Sequence, residues 1–313
     1  MYRSILVPLD GSTFAEYALP VARSIARRAG ATLQLALVHV PIPARYAEGM
    51  VIFDKELEAR NREHERAYLD EVVKRLATDS EVPVTSALLD GEIGKIPEVL
   101  NDHATTMGVD LIVMSTHGRG ALSRFWLGSV ADRLVRQGLV PILLVRPLEE
   151  KTDGPDLAHE PVFRHMLIPL DGSSLSEQIL EPAAALGKLM QADYTLLRAL
   201  EPWILSSYPP TEYSLKLDQQ VQEQMQREAE EYLEGVAGRL RAQSLQVQVR
   251  VVFNKPISAA ILEEVGKQGI DLIAMETHGW GGLTRLLIGS VADKVLRGAS
   301  VPVLLQRPHG ETS

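Results

Sequence analysis

The chain has no cysteine, which excludes disulfides, thiolate metal sites and thiol catalysis. Aromatic residues are scarce at 5%, so platforms for stacking nucleic-acid bases are few. No apolar run approaches the roughly 20 residues needed to span a bilayer, and no membrane association is expected. Basic charge is in deficit: 32 Lys and Arg stand against 41 Asp and Glu, a formal net charge of −9. The basic face of a nucleic-acid binder is therefore missing from the whole-chain balance. The opening Met1-Tyr2-Arg3-Ser4-Ile5-Leu6-Val7-Pro8 breaks too early for a signal peptide. These absences point to a soluble cytoplasmic protein. What is present fits a folded chain: 45% apolar and 23% charged residues over 313 positions, enough for two domains of about 150 residues, each with its own core.

The dominant signal is internal repetition. Arg3-x2-Leu6-x-Pro8-Leu9-Asp10-Gly11-Ser12 returns as Arg164-x2-Leu167-x-Pro169-Leu170-Asp171-Gly172-Ser173. Residues 107–147 and 268–308 share 23 identities in 41 positions without a gap. A constant separation of 161 residues is expected throughout. The period is far too long for a solenoid, so this is a duplicated domain. Residues 148–161 hold five acids, two prolines and one glycine, which cannot build an apolar face and read as a linker. The boundaries expected are a first domain over 1–147, a linker over 148–163 and a second domain over 164–313.

Within one copy, strands and helices alternate. Strands are expected at residues 5–7, 33–40, 82–89, 111–114 and 141–145. Between them lie a helix carrying Ala15, Ala18, Leu19, Ala22, Ile25 and Ala26, a charged surface helix over 56–77, a helix over 97–107 and a short one over 129–137. The second copy repeats the order, with its charged helix near 217–242. Such alternation builds βαβ units and a parallel sheet covered on both faces.

Ligands of open parallel sheets bind beyond the carboxyl ends of strands where the winding reverses. Two loops qualify: Pro8-Leu9-Asp10-Gly11-Ser12, and the run Ser115-Thr116-His117-Gly118-Arg119-Gly120 through Arg124, Trp126 and Gly128-Ser129. The second opens with glycines off a strand and ends at a helix N-terminus. Glycine admits close backbone approach, and a helix start presents free N–H groups to an anion. These are the parts of a phosphate site. The loop is neither a Walker P-loop nor a Gly-x-Gly-x-x-Gly dinucleotide turn, and taken alone such a loop is more often a tight turn than a nucleotide site.

Gly118 and Gly128-Ser129 nevertheless resemble the signature Gly-x2-Gly-x9-Gly-Ser/Thr of the universal stress protein family. The likeness extends to the opening Ile-Leu-Val-Pro-Leu-Asp-Gly-Ser, Leu-Val-His-Val on strand 2, Asp-Leu-Ile-Val-Met before the loop and the closing Val-Pro-Ile-Leu-Leu-Val-Arg-Pro. It covers both halves, so the chain looks like a tandem member. The resemblance implies two flavodoxin-like or Rossmann-like doubly wound domains with five-stranded parallel sheets. It also implies a pseudo-dimer made by antiparallel pairing of the fifth strands, and ATP, with or without Mg, as ligand. Carried over position by position, it assigns Asp10 to the ribose or adenosine edge with Pro8 and Leu9 beside it, and Val40 to the adenine. Met114 and Ser115 come under the nucleotide, and His117, Gly118, Arg119, Gly120, Gly128, Ser129 and Val130 come at the phosphates. A second, weaker site would use Asp171, Gly279, Gly289, Ser290 and Val291. Asp10 has the alternative role of turn former.

The second copy departs from this pattern. The family's first glycine is Ser115 in one copy and Glu276 in the other, Arg119 becomes Trp280, and His39-Val40 becomes Leu200-Glu201. An ionised Glu276 about 4 Å from a phosphate would repel it by roughly 4 kcal/mol at an effective dielectric near 20, about three decades of affinity. The glutamate otherwise points away or holds a bridging metal ion. The expectation is an ATP-binding stress-response regulator in which the first half holds the nucleotide. No metal-ligand spacing and no catalytic triad appear, so at most slow hydrolysis or self-phosphorylation is expected. The remaining alternative is a nucleotide-free interaction module. Homodimers through edge strands and an unidentified protein partner fit either, and residues 41–54 and 202–215 are expected as lids over the ligand end.

Overall fold

The structure is a computed structural model of the chain, and it describes residues 2–41, 45–47, 50–52, 54–77, 81–116, 127–146, 154–202, 211–253, 256–277 and 288–308. It divides into two compact units, Met1–Val162 and Phe163–Ser313.

In the first unit the order is β1 (Ser4–Leu9), α1 (Thr13–Glu16), α2 (Leu19–Ala29), β2 (Thr32–His39), β3 (Arg45–Ala47), β4 (Met50–Ile52), α3 (Lys55–Ala77), β5 (Val84–Asp90), α4 (Ile96–Thr106), β6 (Leu111–Ser115), α5 (Ser129–Gln137) and β7 (Ile142–Val145). Five strands form one parallel sheet in the order β5-β2-β1-β6-β7. Counted along the chain this is 3-2-1-4-5, the winding of a Rossmann half, and its direction reverses between β1 and β6. β1 and β6 are buried along their whole length, which is why both are nearly unbroken apolar runs.

The second unit repeats the plan with β8 (His165–Pro169), a 3₁₀ turn (Ser176–Ile179), α6 (Leu180–Met190), β9 (Asp193–Leu200), α7 (Glu212–Arg241), β10 (Val247–Phe253), α8 (Ile257–Gln268), β11 (Leu272–Glu276), α9 (Ser290–Gly298) and β12 (Val303–Gln306). Its parallel order is β10-β9-β8-β11-β12. Asp110 and Asp271 begin β6 and β11 alike: each carboxylate accepts backbone N–H bonds from the start of the central strand, at 2.7 and 3.1 Å from Arg3 and Ser4, and at 2.6 and 3.0 Å from Arg164 and His165.

Three expectations change. The first helix is two pieces, because Pro20 near the start of α2 lacks an N–H and crowds the carbonyl four residues before it. The segment expected as a lid over 41–54 holds an antiparallel hairpin, Arg45–Ala47 against Met50–Ile52. The 161-residue spacing does not hold throughout. Tyr68 and Arg75 of α3 bind Glu16, whereas Tyr232 and Arg239 of α7 bind Glu177. The glutamates are 161 apart, but the tyrosines and the arginines are 164 apart. The buried stripe Leu69, Val72 and Leu76 likewise matches Leu233, Val236 and Leu240. Register then gives 163 at β5 and β10, where Leu33 pairs Val84 and Tyr194 pairs Val247. It returns to 161 at the buried Leu100 and Ala104 against Ile261 and Val265.

Of the stretch expected as linker, the described part begins at residue 154, and it docks on α2. Arg23 donates to the Leu157 carbonyl at 2.6 Å, Ser24 Oγ to the Pro161 carbonyl at 2.7 Å, and Arg27 pairs with Glu160.

Candidate functional site

Because β1 and β6 are neighbours in the sheet, the loops leaving their carboxyl ends emerge side by side at the reversal point. Pro8 and Leu9 are buried at the end of β1, and Asp10 is half-buried. Asp10 Oδ1 accepts from the Ser12 N–H at 2.9 Å and the Ser12 hydroxyl at 2.6 Å, while Ser12 caps α1 through the Ala15 N–H at 3.3 Å. Asp10 is thus a turn former, and that turn fixes its carboxylate at the mouth of the crevice. The same turn stands in the second unit, where Ser173 donates to Asp171 Oδ1 at 2.9 and 2.6 Å.

Met114 and Ser115 end β6 and are buried. The next residue, Thr116, bonds to the Val145 carbonyl at 3.0 Å, and its own carbonyl accepts from the Gly128 N–H at 2.9 Å. This second bond closes the two ends of the glycine-rich loop onto each other and sets the start of α5 next to the end of β6. A Cβ on Gly128 would lie 3.3 Å from the Thr116 carbonyl oxygen, so the closure is tight. Ser129 is exposed and Val130 half-buried at the first turn, where helix N–H groups lack intrahelical partners. The second unit copies the closure: Thr277 bonds to the Gln306 carbonyl at 2.9 Å and Gly289 to the Thr277 carbonyl at 2.8 Å, with Ser290 and Val291 opening α9. His117, Gly118, Arg119, Gly120, Arg124, Trp126, Gly279 and Trp280 lie outside the described residues.

Val40 follows β2 and is half-buried. Beside it is a cluster that sequence reasoning did not assemble. His39 is 1% exposed, with Nδ1 2.5 Å from Glu65 Oε2 and Nε2 2.5 Å from Glu58 Oε1. Arg62 donates to Glu58 at 3.3 Å and pairs with Asp90 at the end of β5. With the 164-residue offset, Glu58 and Glu65 correspond to Gln222 and Ala229, while His39 corresponds to Leu200. Two of the three clustered residues are thereby apolar in the other copy, His39 becoming Leu200 and Glu65 becoming Ala229, while Glu58 becomes a neutral glutamine. An equal-spacing comparison conceals the Glu65 half of that exchange.

Glu276 corrects an expectation. It is 5% exposed, and neither carboxyl oxygen has a hydrogen-bond partner among the described residues. Burial pushes its pKa up to about 9, so near neutrality the side chain is a neutral acid. The repulsion computed for an ionised glutamate against phosphate therefore does not operate there. Arg198 brings a positive charge to the crevice of this unit. A Cβ on Gly172 would meet Arg198 Nη1 at 2.0 Å, and the guanidinium rests 5.3 Å from the centroid of the Tyr232 ring. Leu37 holds the corresponding place in the first unit. In the first unit Arg136, one turn further along α5 than Asp132, forks onto that carboxylate at 2.8 and 2.9 Å.

Among the described residues, no group of three or more His, Asp or Glu side chains is arranged to hold a metal ion, and no helix is long and apolar enough to cross a membrane. The sequence model of the universal stress protein family matches residues 1–146 and again 163–307. The chain is 32% identical over 203 residues to universal stress protein Rv2005c of Mycobacterium tuberculosis, a match covering 63% of this chain and 62% of that protein. It is 27% identical over 310 residues to a universal stress protein of Mycolicibacterium smegmatis, covering 97% of both. In structure it resembles a universal stress protein from Archaeoglobus fulgidus, with a TM-score of 0.62, 18% identity, and coverage of 97% of this chain and 96% of that one. Two family matches, one to each unit of the duplicated fold, establish that the chain belongs to the universal stress protein family.

Proposed function

We propose that the chain is an ATP-binding regulatory protein of the cytoplasmic stress response, with the nucleotide held mainly by the first unit. In this reading Asp10, presented by its own turn, meets the sugar hydroxyls, and Val40 lies against the base. The first turn of α5, from Gly128 to Val130, receives phosphate oxygens, with Ser115 beneath. The observation that carries the reading is the Gly128-to-Thr116 closure at 2.9 Å, which aims a helix start at the point where the sheet winding reverses. Occupancy would alter conformation or association, and Mg would accompany the phosphates.

Isothermal titration with ATP tests it, with and without Mg. The expected result is one tight site per chain, abolished by Gly128→Val, whose branched side chain crowds the Thr116 carbonyl and the phosphate approach. Absence of ATP binding at millimolar concentration, or two equal sites per chain, would overturn the assignment.

A further inference from the structure

Arg198 and Glu276 are both without a hydrogen-bonding or ion-pairing partner among the described residues, and both are peculiar to the second unit. Their places in the sheet relate them. Ile273 on β11 pairs Leu167 on β8, so Glu276, three residues on, stands level with Leu170. On the other side Pro169 pairs Leu197, and the Leu170 N–H bonds to the Leu197 carbonyl at 2.9 Å, so Arg198 is level with the same Leu170. Laterally paired residues of a parallel sheet point to one face. Arg198 and Glu276 therefore flank the exit of β8 on a common face, about 10 Å apart at the backbone. The guanidinium already reaches Gly172 in the loop beyond. The start of α9 adjoins them, since Gly289 is bonded to Thr277, the neighbour of Glu276.

We propose that the second unit carries an oxyanion site of its own, in which the Arg198 guanidinium and the Glu276 carboxyl donate to the oxygens of a phosphate group. The Tyr232 ring supports one face of the guanidinium, which leaves its in-plane N–H groups for an acceptor. The neighbouring acids are engaged elsewhere: Asp171 Oδ1 by Ser173, and Glu177 by Tyr232 and Arg239. Facing Glu276 from the strands on either side are Leu170 and Gln306, which carry no charge, and burial alone accounts for its high pKa. Near neutrality the group is a donor, as an oxyanion requires. A cation site is disfavoured because, among the described residues, no other carboxylate or histidine joins Glu276 in a set able to bind metal. The first unit has Leu37 and Ser115 at these positions, so the two units differ in kind and the second is more than a weakened copy. The proposal does not rest on ATP binding by the first unit.

Isothermal titration of the full chain with inorganic phosphate, AMP and sulfate tests it, in an Asp10→Ala background to set the first unit aside. Arg198→Leu restores the residue type of the first unit, and is expected to fold and to lower phosphate affinity about tenfold or more. Sulfate keeps its charge across the pH range and reports Glu276. Its affinity is expected to fall about tenfold for each pH unit above 9. Glu276→Gln, which still donates, is expected to bind as tightly near neutrality and to lose that fall. Preference for AMP over phosphate assigns the site to a nucleotide's phosphate, and equal binding assigns it to free phosphate; both support the site. Unchanged affinity in Arg198→Leu, an identical pH profile in Glu276→Gln, or binding of Mg or Ca in place of anions would overturn it.

Discussion

Replacing Glu276 by Gln keeps the shape of the side chain and removes its proton equilibrium. In the folded chain the carboxyl holds its proton up to about pH 9, whereas the unfolded chain releases it near 4.5. Between those values the native state binds the extra proton, so each rise in pH favours unfolding. Stability from this group is complete below 4.5 and is lost progressively up to 9. From 4.5 to neutrality, at about 1.4 kcal/mol per pH unit, the loss amounts to about 3 kcal/mol. Glutamine, neutral at every pH, escapes it. Glu276→Gln should therefore be more stable than the parent by about 3 kcal/mol near pH 7, with the gap widening toward pH 9 and closing near pH 4.5. For a unit of this size that is roughly 6–12 °C in melting temperature. Scanning calorimetry of both chains from pH 5 to 9 measures it, and the difference cancels every other titrating group. Because the chain has two units, only the transition of the second should move. A gap independent of pH would refute the burial argument, and a less stable variant at neutrality would show that the carboxyl has a partner in the folded state.

Gly172 is held at φ +86 against Arg198, so Gly172→Ala should cost about 2 kcal/mol, and an Arg198→Leu background should leave only the backbone part, about 1 kcal/mol. Urea denaturation of the four chains checks this. His39→Leu alone should cost about 1–3 kcal/mol by leaving Glu58 and Glu65 without the ring, while His39→Leu with Glu65→Ala, the pairing that the second copy uses, should cost less than the single change. A double-mutant cycle reads the coupling. Glu16→Ala removes the acceptor shared by Tyr68 and Arg75 and should destabilise the first unit by about 2 kcal/mol; calorimetry of Glu16→Ala, Glu177→Ala and the double variant should show one transition lowered in each single variant and both in the double.

Much of the architecture is legible in the sequence because its causes are local. Alternating apolar strands and amphipathic helices announce the parallel sheet, and Gly128-Ser129 announces a helix start beside β6. What escapes depends on distance along the chain or on burial. The charge of Glu276 is a property of its surroundings, and residue type alone suggests a carboxylate. The His39 cluster joins β2 to a helix whose register had slipped by three, so its counterpart in the other copy was invisible to an equal-spacing comparison. Arg198 reads as an ordinary strand residue until the backbone of Gly172 is placed against it. The break before α2, by contrast, is written in Pro20 and is a matter of weighing one residue against a strong apolar period.

The shifted helix also has a bearing on how the two copies drifted apart and on how they can be recombined. Counted from the end of β9 to Tyr232, the later copy is three residues longer than the earlier one from the end of β2 to Tyr68; it gives one back before β10 and two more before α8. Insertions and deletions thus fell on both sides of the docked stretch and never within it, where the glutamate–tyrosine–arginine tie was kept intact. That tie, more than chain length, is what the two copies share. A chimera that exchanges α3 and α7 should accordingly be spliced by superposing Tyr68 on Tyr232 and Arg75 on Arg239. One spliced by residue count would turn the docked face by about 60° and slide it about 4.5 Å along the helix axis.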